Sequence, residues 1–121
     1  MAQQFESLHQ QALFQWASYQ ENVYPELKLL HHIPNGGKRD KLTAAKLKRE
    51  GVKAGVPDIF LPVARCSCYG LYIEMKHGTN KSSKAQEEFI KLLKEQSYEV
   101  VVCYGWTEAR DKIVEYLEVP R

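Results

Sequence analysis

The residues with the clearest chemical potential lie in two short segments. Asp58 follows Pro57, and the segment LYIEMK (71–76) places Glu74 and Lys76 two positions apart among apolar neighbours. On a strand, Leu71, Ile73 and Met75 point one way and Tyr72, Glu74 and Lys76 the other. The apolar set belongs in a core. A neighbouring strand that starts at Asp58 brings a second carboxylate to the face carrying Glu74 and Lys76. Two carboxylates in a poorly solvated cleft repel unless a cation lies between them. A hard divalent ion such as Mg²⁺ accepts one or two carboxylates, a backbone carbonyl and several waters, and the Met75 carbonyl is the natural candidate for the third ligand. An ion held this way polarises a phosphoryl oxygen and acidifies water, and a neighbouring ammonium neutralises charge developing on phosphorus. Asp58, Glu74 and Lys76 thus supply the parts for phosphodiester hydrolysis. A lone Glu-x-Lys is usually a surface ion pair. Here the preceding Pro57-Asp58, the hairpin-length separation, the interleaved apolar residues and the helix that follows favour a site.

The elements that must position these residues can be read in order. FESLHQQALFQWASY has Phe5, Leu8, Ala12, Trp16 and Tyr19 at helical spacing, with Glu6 beside that stripe. ELKLLHHI predicts a first strand, closed by Pro34 and the turn NGG. His31 and His32 are adjacent on it, so at most one of them lines a cleft. A basic helix is expected from about Lys38 to Arg49, with Gly51 placed to end it. Two antiparallel strands, about Asp58 to Ala64 and Tyr69 to His77, flank a turn containing Cys66 and Cys68. Pro62 cannot donate to a ladder, so the first of these ends near it or runs along an edge. SSKAQEEFIKLLKEQS predicts a helix with Ala85, Phe89, Leu92, Leu93 and Gln96 on one face and a capping box from Ser83 to Gln86. YEVVVCY reads as a buried strand parallel to the Tyr69 strand. Thr107 is placed to cap a last helix, with Ala109, Ile113 and Leu117 or Tyr116 facing the sheet. The fold class is α/β, a small mixed sheet flanked by helices.

A chain of 121 residues with 44% apolar and 26% charged residues fits one compact domain spanning 1–121, with no disorder signature. Glu6 falls where a signal peptide would need an apolar run, and no apolar stretch approaches membrane-spanning length. A cytoplasmic protein without a membrane partner is expected. Cys66, Cys68 and Cys103 form no familiar spacing. Three reduced thiols account for them more simply than a zinc site that adds His77.

The net charge of +2 is unevenly spread. Lys38, Arg39, Lys41, Lys46, Lys48, Arg49 and Lys53, against Asp40 and Glu50, give that stretch a local +5 and leave the rest at −3. Such polarity suits a polyanion, although a solvated lysine-rich helix has the same composition. Lys81 and Lys84, just beyond the Glu74 strand, add possible phosphate contacts. Tyr69 and Tyr72 are candidates to stack on exposed bases, whereas packing explains Trp106 better.

Asp58 followed by Glu74-Met75-Lys76 resembles the PD-(D/E)XK nuclease motif. GVKAGVPDIF, LYIEMKHGTNKSSKAQ, the early acidic helix and NGG before a basic segment resemble its VRR-NUC branch, in the stand-alone form found in phages and bacteria. The resemblance spans nearly the whole chain. It implies a restriction-endonuclease-like core in which Asp58 and Glu74 bind Mg²⁺ or Mn²⁺, Met75 contributes its carbonyl and Lys76 is the catalytic lysine. It further implies that Glu6 completes the metal site and that Gln86 stands near the active site. Each of the last two has an ordinary alternative, a solvated first-turn acid for Glu6 and a capping residue for Gln86. The implied function is a metal-dependent endonuclease acting on branched DNA such as four-way junctions. A twofold homodimer would supply matched cuts, and no organic cofactor is implied. The alternatives are a DNA-binding protein without catalysis, a nuclease on duplex DNA or RNA without junction preference, and a phosphatase on the same scaffold.

Overall fold

The computed structural model describes residues 2–34 and 40–120. Its elements run α1 (Ala2–Tyr19), a 3₁₀ turn (Pro25–Leu29), β1 (His31–His32), α2 (Lys41–Arg49), β2 (Ile59–Leu61), β3 (Leu71–Lys76), α3 (Lys84–Glu95), β4 (Glu99–Tyr104) and α4 (Trp106–Glu118). The four strands form one mixed sheet in the order β1-β2-β3-β4. β2 is antiparallel to both β1 and β3, and β3 is parallel to β4 over its full length. The sheet is flanked by helices, as the residue pattern predicts.

Alternation on β2 and β3 sends Ile59, Leu61, Leu71, Ile73 and Met75 into one apolar core with Leu13 and Ala17 of α1 and Ala109, Ile113, Tyr116 and Leu117 of α4. Each large aliphatic side chain buried there contributes roughly 1.5–3 kcal/mol relative to exposure, so this face supplies most of the driving force. Arg65, buried in the β2–β3 connection, pairs with Glu26 at 2.6 Å and donates to the carbonyls of Ala64 and Leu117. It ties the 3₁₀ turn and the end of α4 to the sheet.

Several local expectations are corrected. ELKLLHHI is not one strand: Pro25–Leu29 is a 3₁₀ turn and only His31–His32 pair with β2. Leu27 and Leu30, three apart, are both buried, a spacing that eclipses on a 3₁₀ turn but would alternate on a strand. The buried side of α1 is Leu13 and Ala17, rotated by about one residue from the predicted stripe. Phe5, Leu8 and Tyr19 remain exposed. On α3 the inward side is Gln86, Phe89, Ile90 and Leu93, while Ala85, Leu92 and Gln96 face solvent. Thr107 lies inside α4, whose N-cap is Gly105; the Trp106 N–H donates to His9 Nδ1 from α1 at 3.0 Å. The basic helix starts at Lys41 with Asp40 as its cap, the Asp40 carboxylate accepting from the Thr43 N–H at 2.7 Å. Lys38, Arg39 and the NGG turn lie outside the described residues.

Candidate active site

The core face of β3 has a polar counterpart on its other side. Asp58 immediately precedes β2, and the antiparallel register pairs Ile59 with Ile73, so Asp58 reaches the strand beside Glu74 and Met75. Its Oδ2 accepts from the Met75 N–H at 2.8 Å. The Asp58 carbonyl is held in turn by the Ile33 N–H at 2.6 Å and by His32 Nδ1 at 2.9 Å. A carbonyl only accepts, so His32 Nδ1 is the donor in this contact.

Glu74 is 3% exposed. Its Oε2 accepts from Gln86 Nε2 at 2.9 Å and lies 3.4 Å from Lys76 Nζ. Lys76 Nζ donates to Gln86 Oε1 at 2.7 Å. The amide orientation follows from chemistry: an ammonium only donates and a carboxylate only accepts, so Gln86 must turn its oxygen to Lys76 and its nitrogen to Glu74. Gln86 also completes the capping box of α3 with Ser83. The helix cap and the bonds to Glu74 and Lys76 are thus made by the same residue.

Glu74 Oε1 is buried and has no hydrogen-bond partner among the described residues. A buried carboxylate oxygen left unsatisfied is unfavourable, and burial followed by the charge of Asp58 pushes the Glu74 carboxyl up to about 7, against the opposing pull of Lys76. Burial also raises Asp58, opposed by its bond from the Met75 N–H and by the charges of His32 and Lys76. Both acids therefore resist ionising without a cation. A divalent ion fits this donor set, because it would satisfy Oε1 and neutralise the pair at once.

Glu6 is half-buried on α1, one heptad before Leu13 on the inward side, and its charge reaches Glu74. Among the described residues no three His, Cys, Asp or Glu side chains converge as a ready metal cluster. Glu6 is thus near the pair but not assembled with it, and the zinc set of Cys66, Cys68, Cys103 and His77 is not formed. All three cysteines are free thiols, and Cys103 is buried in the core.

The remaining predicted contacts are spread over the other elements. Lys41, Lys46, Lys48 and Arg49 project from α2, which buries none of its residues, and Lys53 is exposed in the following loop. Lys84 is exposed in the first turn of α3. Lys81 lines a groove of about 770 Å³ between α3 and β4, together with Ile90, Val102 and Tyr104. Tyr72 stacks on Phe60 with ring centroids 4.2 Å apart, on the face that carries Glu74. Tyr69 is exposed, and Trp106 packs against the core. Sequence reasoning left His31 and His32 equivalent. Only the pairing of β1 with β2 selects His32 as the neighbour of Asp58.

Comparison with known proteins agrees with this architecture. The VRR-NUC domain model matches residues 4–107. A solved structure described as a VRR_NUC domain protein superposes with a TM-score of 0.82 at 32% identity, covering 96% of this chain and 90% of that one. No curated protein matches the sequence. With a family model over most of its length and a close structural neighbour of the same description, the chain belongs to the VRR-NUC family and carries its nuclease-type fold.

Proposed function

We propose that this protein is a divalent-metal-dependent DNA endonuclease that selects phosphodiester bonds by DNA structure, with branched DNA such as four-way junctions as its substrate class. The observation that carries the reading is the unsatisfied, buried Glu74 Oε1 beside Asp58, with Lys76 held at the same carboxylate. Asp58, Glu74 and the Met75 carbonyl would hold Mg²⁺ or Mn²⁺. When bound, such an ion supplies Lewis acidity to a phosphoryl oxygen and lowers the pKa of water.

The chain's own residues do the rest. The Met75 N–H fixes the orientation of the Asp58 carboxylate, and Gln86 fixes Glu74 Oε2, which leaves Oε1 free. Lys76, steadied by Gln86, presents a positive charge where the phosphorane develops negative charge as water adds and the P–O bond to the leaving group breaks. Glu6 adds a nearby acid from α1. The exposed basic residues of α2, with Lys53, Lys81 and Lys84, supply phosphate contacts.

A homodimer is part of this reading. Junction resolution needs two matched cuts, which a twofold pair supplies. The exposed Phe5, Leu8 and Tyr19 on α1 offer an apolar surface for a second copy. The test incubates the protein with Mg²⁺ or Mn²⁺ and labelled junction, flap, duplex and single-stranded DNA, beside Asp58→Ala and Lys76→Ala. Paired symmetric nicks on the junction, lost in both variants, are the expected result. Survival of every substrate would remove the nuclease reading, and random nicking of duplex alone would remove the junction preference. Sedimentation of the wild type beside Leu8→Glu reads the dimer directly; a monomeric wild type defeats it.

A further inference from the structure

Helix α3 carries Gln86 into the site, yet none of its residues is fully buried. Packing of an apolar face, the usual source of helix placement, is weak here. Two other contacts hold its first turn. Gly55 has φ +90°, and a Cβ there would lie 2.7 Å from the Ala85 carbonyl carbon, with the Ala85 oxygen closer still. The loop that delivers Asp58 can therefore lie against the start of α3 only because residue 55 has no side chain. The second contact is the capping box. Ser83 Oγ accepts from the Gln86 N–H at 3.1 Å, and the Ser83 N–H donates to Gln86 Oε1 at 2.8 Å.

That oxygen is the same atom that accepts from Lys76 Nζ, while Nε2 of the amide holds Glu74. In an ordinary capping box the N3 side chain serves only the helix end. Here its two ends join the helix start to both members of the Glu74–Lys76 pair. We propose that Ser83 is a positioning residue: by clamping Gln86, it holds Glu74 and Lys76 in the arrangement that receives the divalent cation. This inference rests on the metal-dependent reading above and names a residue whose role the motif does not assign.

The experiment measures Mn²⁺ affinity of the DNA-free protein by calorimetry, with thermal unfolding alongside, for wild type, Ser83→Ala, Ser83→Thr, Gln86→Ala, the Ser83→Ala/Gln86→Ala double variant and Asp58→Ala. Loss of partners around metal ligands commonly weakens affinity 10–100-fold. Ser83 acts one step further out, so Ser83→Ala is expected to weaken Mn²⁺ binding by about tenfold at most and at least threefold. Ser83→Thr keeps the cap and restores affinity to within about twofold. The double variant binds no worse than Gln86→Ala, because the effect passes through Gln86. Should Ser83→Ala fail to fold, Ser83→Gly removes the same hydroxyl and is the milder replacement at a helix N-cap. Wild-type affinity in the serine variants with a lowered unfolding temperature would make Ser83 a helix cap only, and multiplied losses in the double variant would overturn the route through Gln86. A separate pattern, wild type failing to bind Mn²⁺ or Asp58→Ala binding equally well, would defeat the metal reading itself.

Discussion

The two faces of β3 differ in almost every physical respect. Leu71, Ile73 and Met75 enter an apolar core closed by α1 and α4, whereas Glu74 and Lys76 meet Gln86 of α3 beside Asp58, and Tyr72 stacks on Phe60. The first face is held by area and shape. The second is held by directed hydrogen bonds around a carboxylate that burial penalises. A single six-residue strand therefore separates stability from chemistry, and the separation can be broken one face at a time.

The largest expected effect is on the polar face. Asp58→Ala or Lys76→Ala should lower cleavage by roughly 10³-fold or more, about 4 kcal/mol in transition-state stabilisation. The accompanying loss of stability should be smaller than for a core truncation. A large loss of stability in the same variants would show that the faces are not separable. On the core face the pattern inverts. Ile73→Ala is expected to cost about 2–4 kcal/mol of folding stability, with the residual folded fraction still cleaving at a comparable rate per folded molecule. Denaturant unfolding read with single-turnover cleavage checks both halves.

A sharper test uses pH. The Glu74 carboxyl is raised to about 7 in the folded protein, against 4.5 ordinarily, so between those values the native state binds more protons than the unfolded one. Stability of the metal-free protein should then fall as pH rises through this window and level off above it. Glu74→Gln removes that penalty. Without metal the variant should be more stable than wild type at pH 8 by on the order of 2 kcal/mol in denaturant unfolding, with the gap closing towards pH 5. Saturating Mn²⁺ should reverse the order by stabilising only the wild type. Equal pH profiles with and without Glu74 would show that the burial penalty is absent.

The smaller effects lie away from both faces. Replacing Lys46, Lys48 and Arg49 of α2 together by Ala should weaken DNA binding roughly 3–30-fold and lower the salt slope by up to about three, measured by fluorescence anisotropy across salt concentrations. Stability should hold, since α2 buries nothing. Smallest of all, Leu92→Ala on the outer side of α3 should stay within about 0.5 kcal/mol of wild type in denaturant unfolding. A larger change would mean that this side chain is covered in solution.

Much of this arrangement is written locally. The period-2 alternation of LYIEMK places Glu74 and Lys76 on one face whatever the rest of the chain does, and Ser83 with Gln86 marks a helix start from three residues of spacing alone. Pro62 likewise ends β2 because it lacks a donor. Helix orientation is a different matter. α1 and α3 carry apolar residues in adjacent columns, about 100° apart per residue, so either column satisfies the periodicity. Contacts with strands distant in sequence decided between them. The same long-range pairing chose His32 over His31, turned ELKLL into a 3₁₀ turn by burying Leu27 and Leu30, and gave Gln86 two tasks at once. Which chemical groups share the face of β3 is legible in the residue order alone, because strand alternation is a property of neighbouring residues. Which side of each helix meets that face was left to the tertiary structure, because it depends on where the sheet lies.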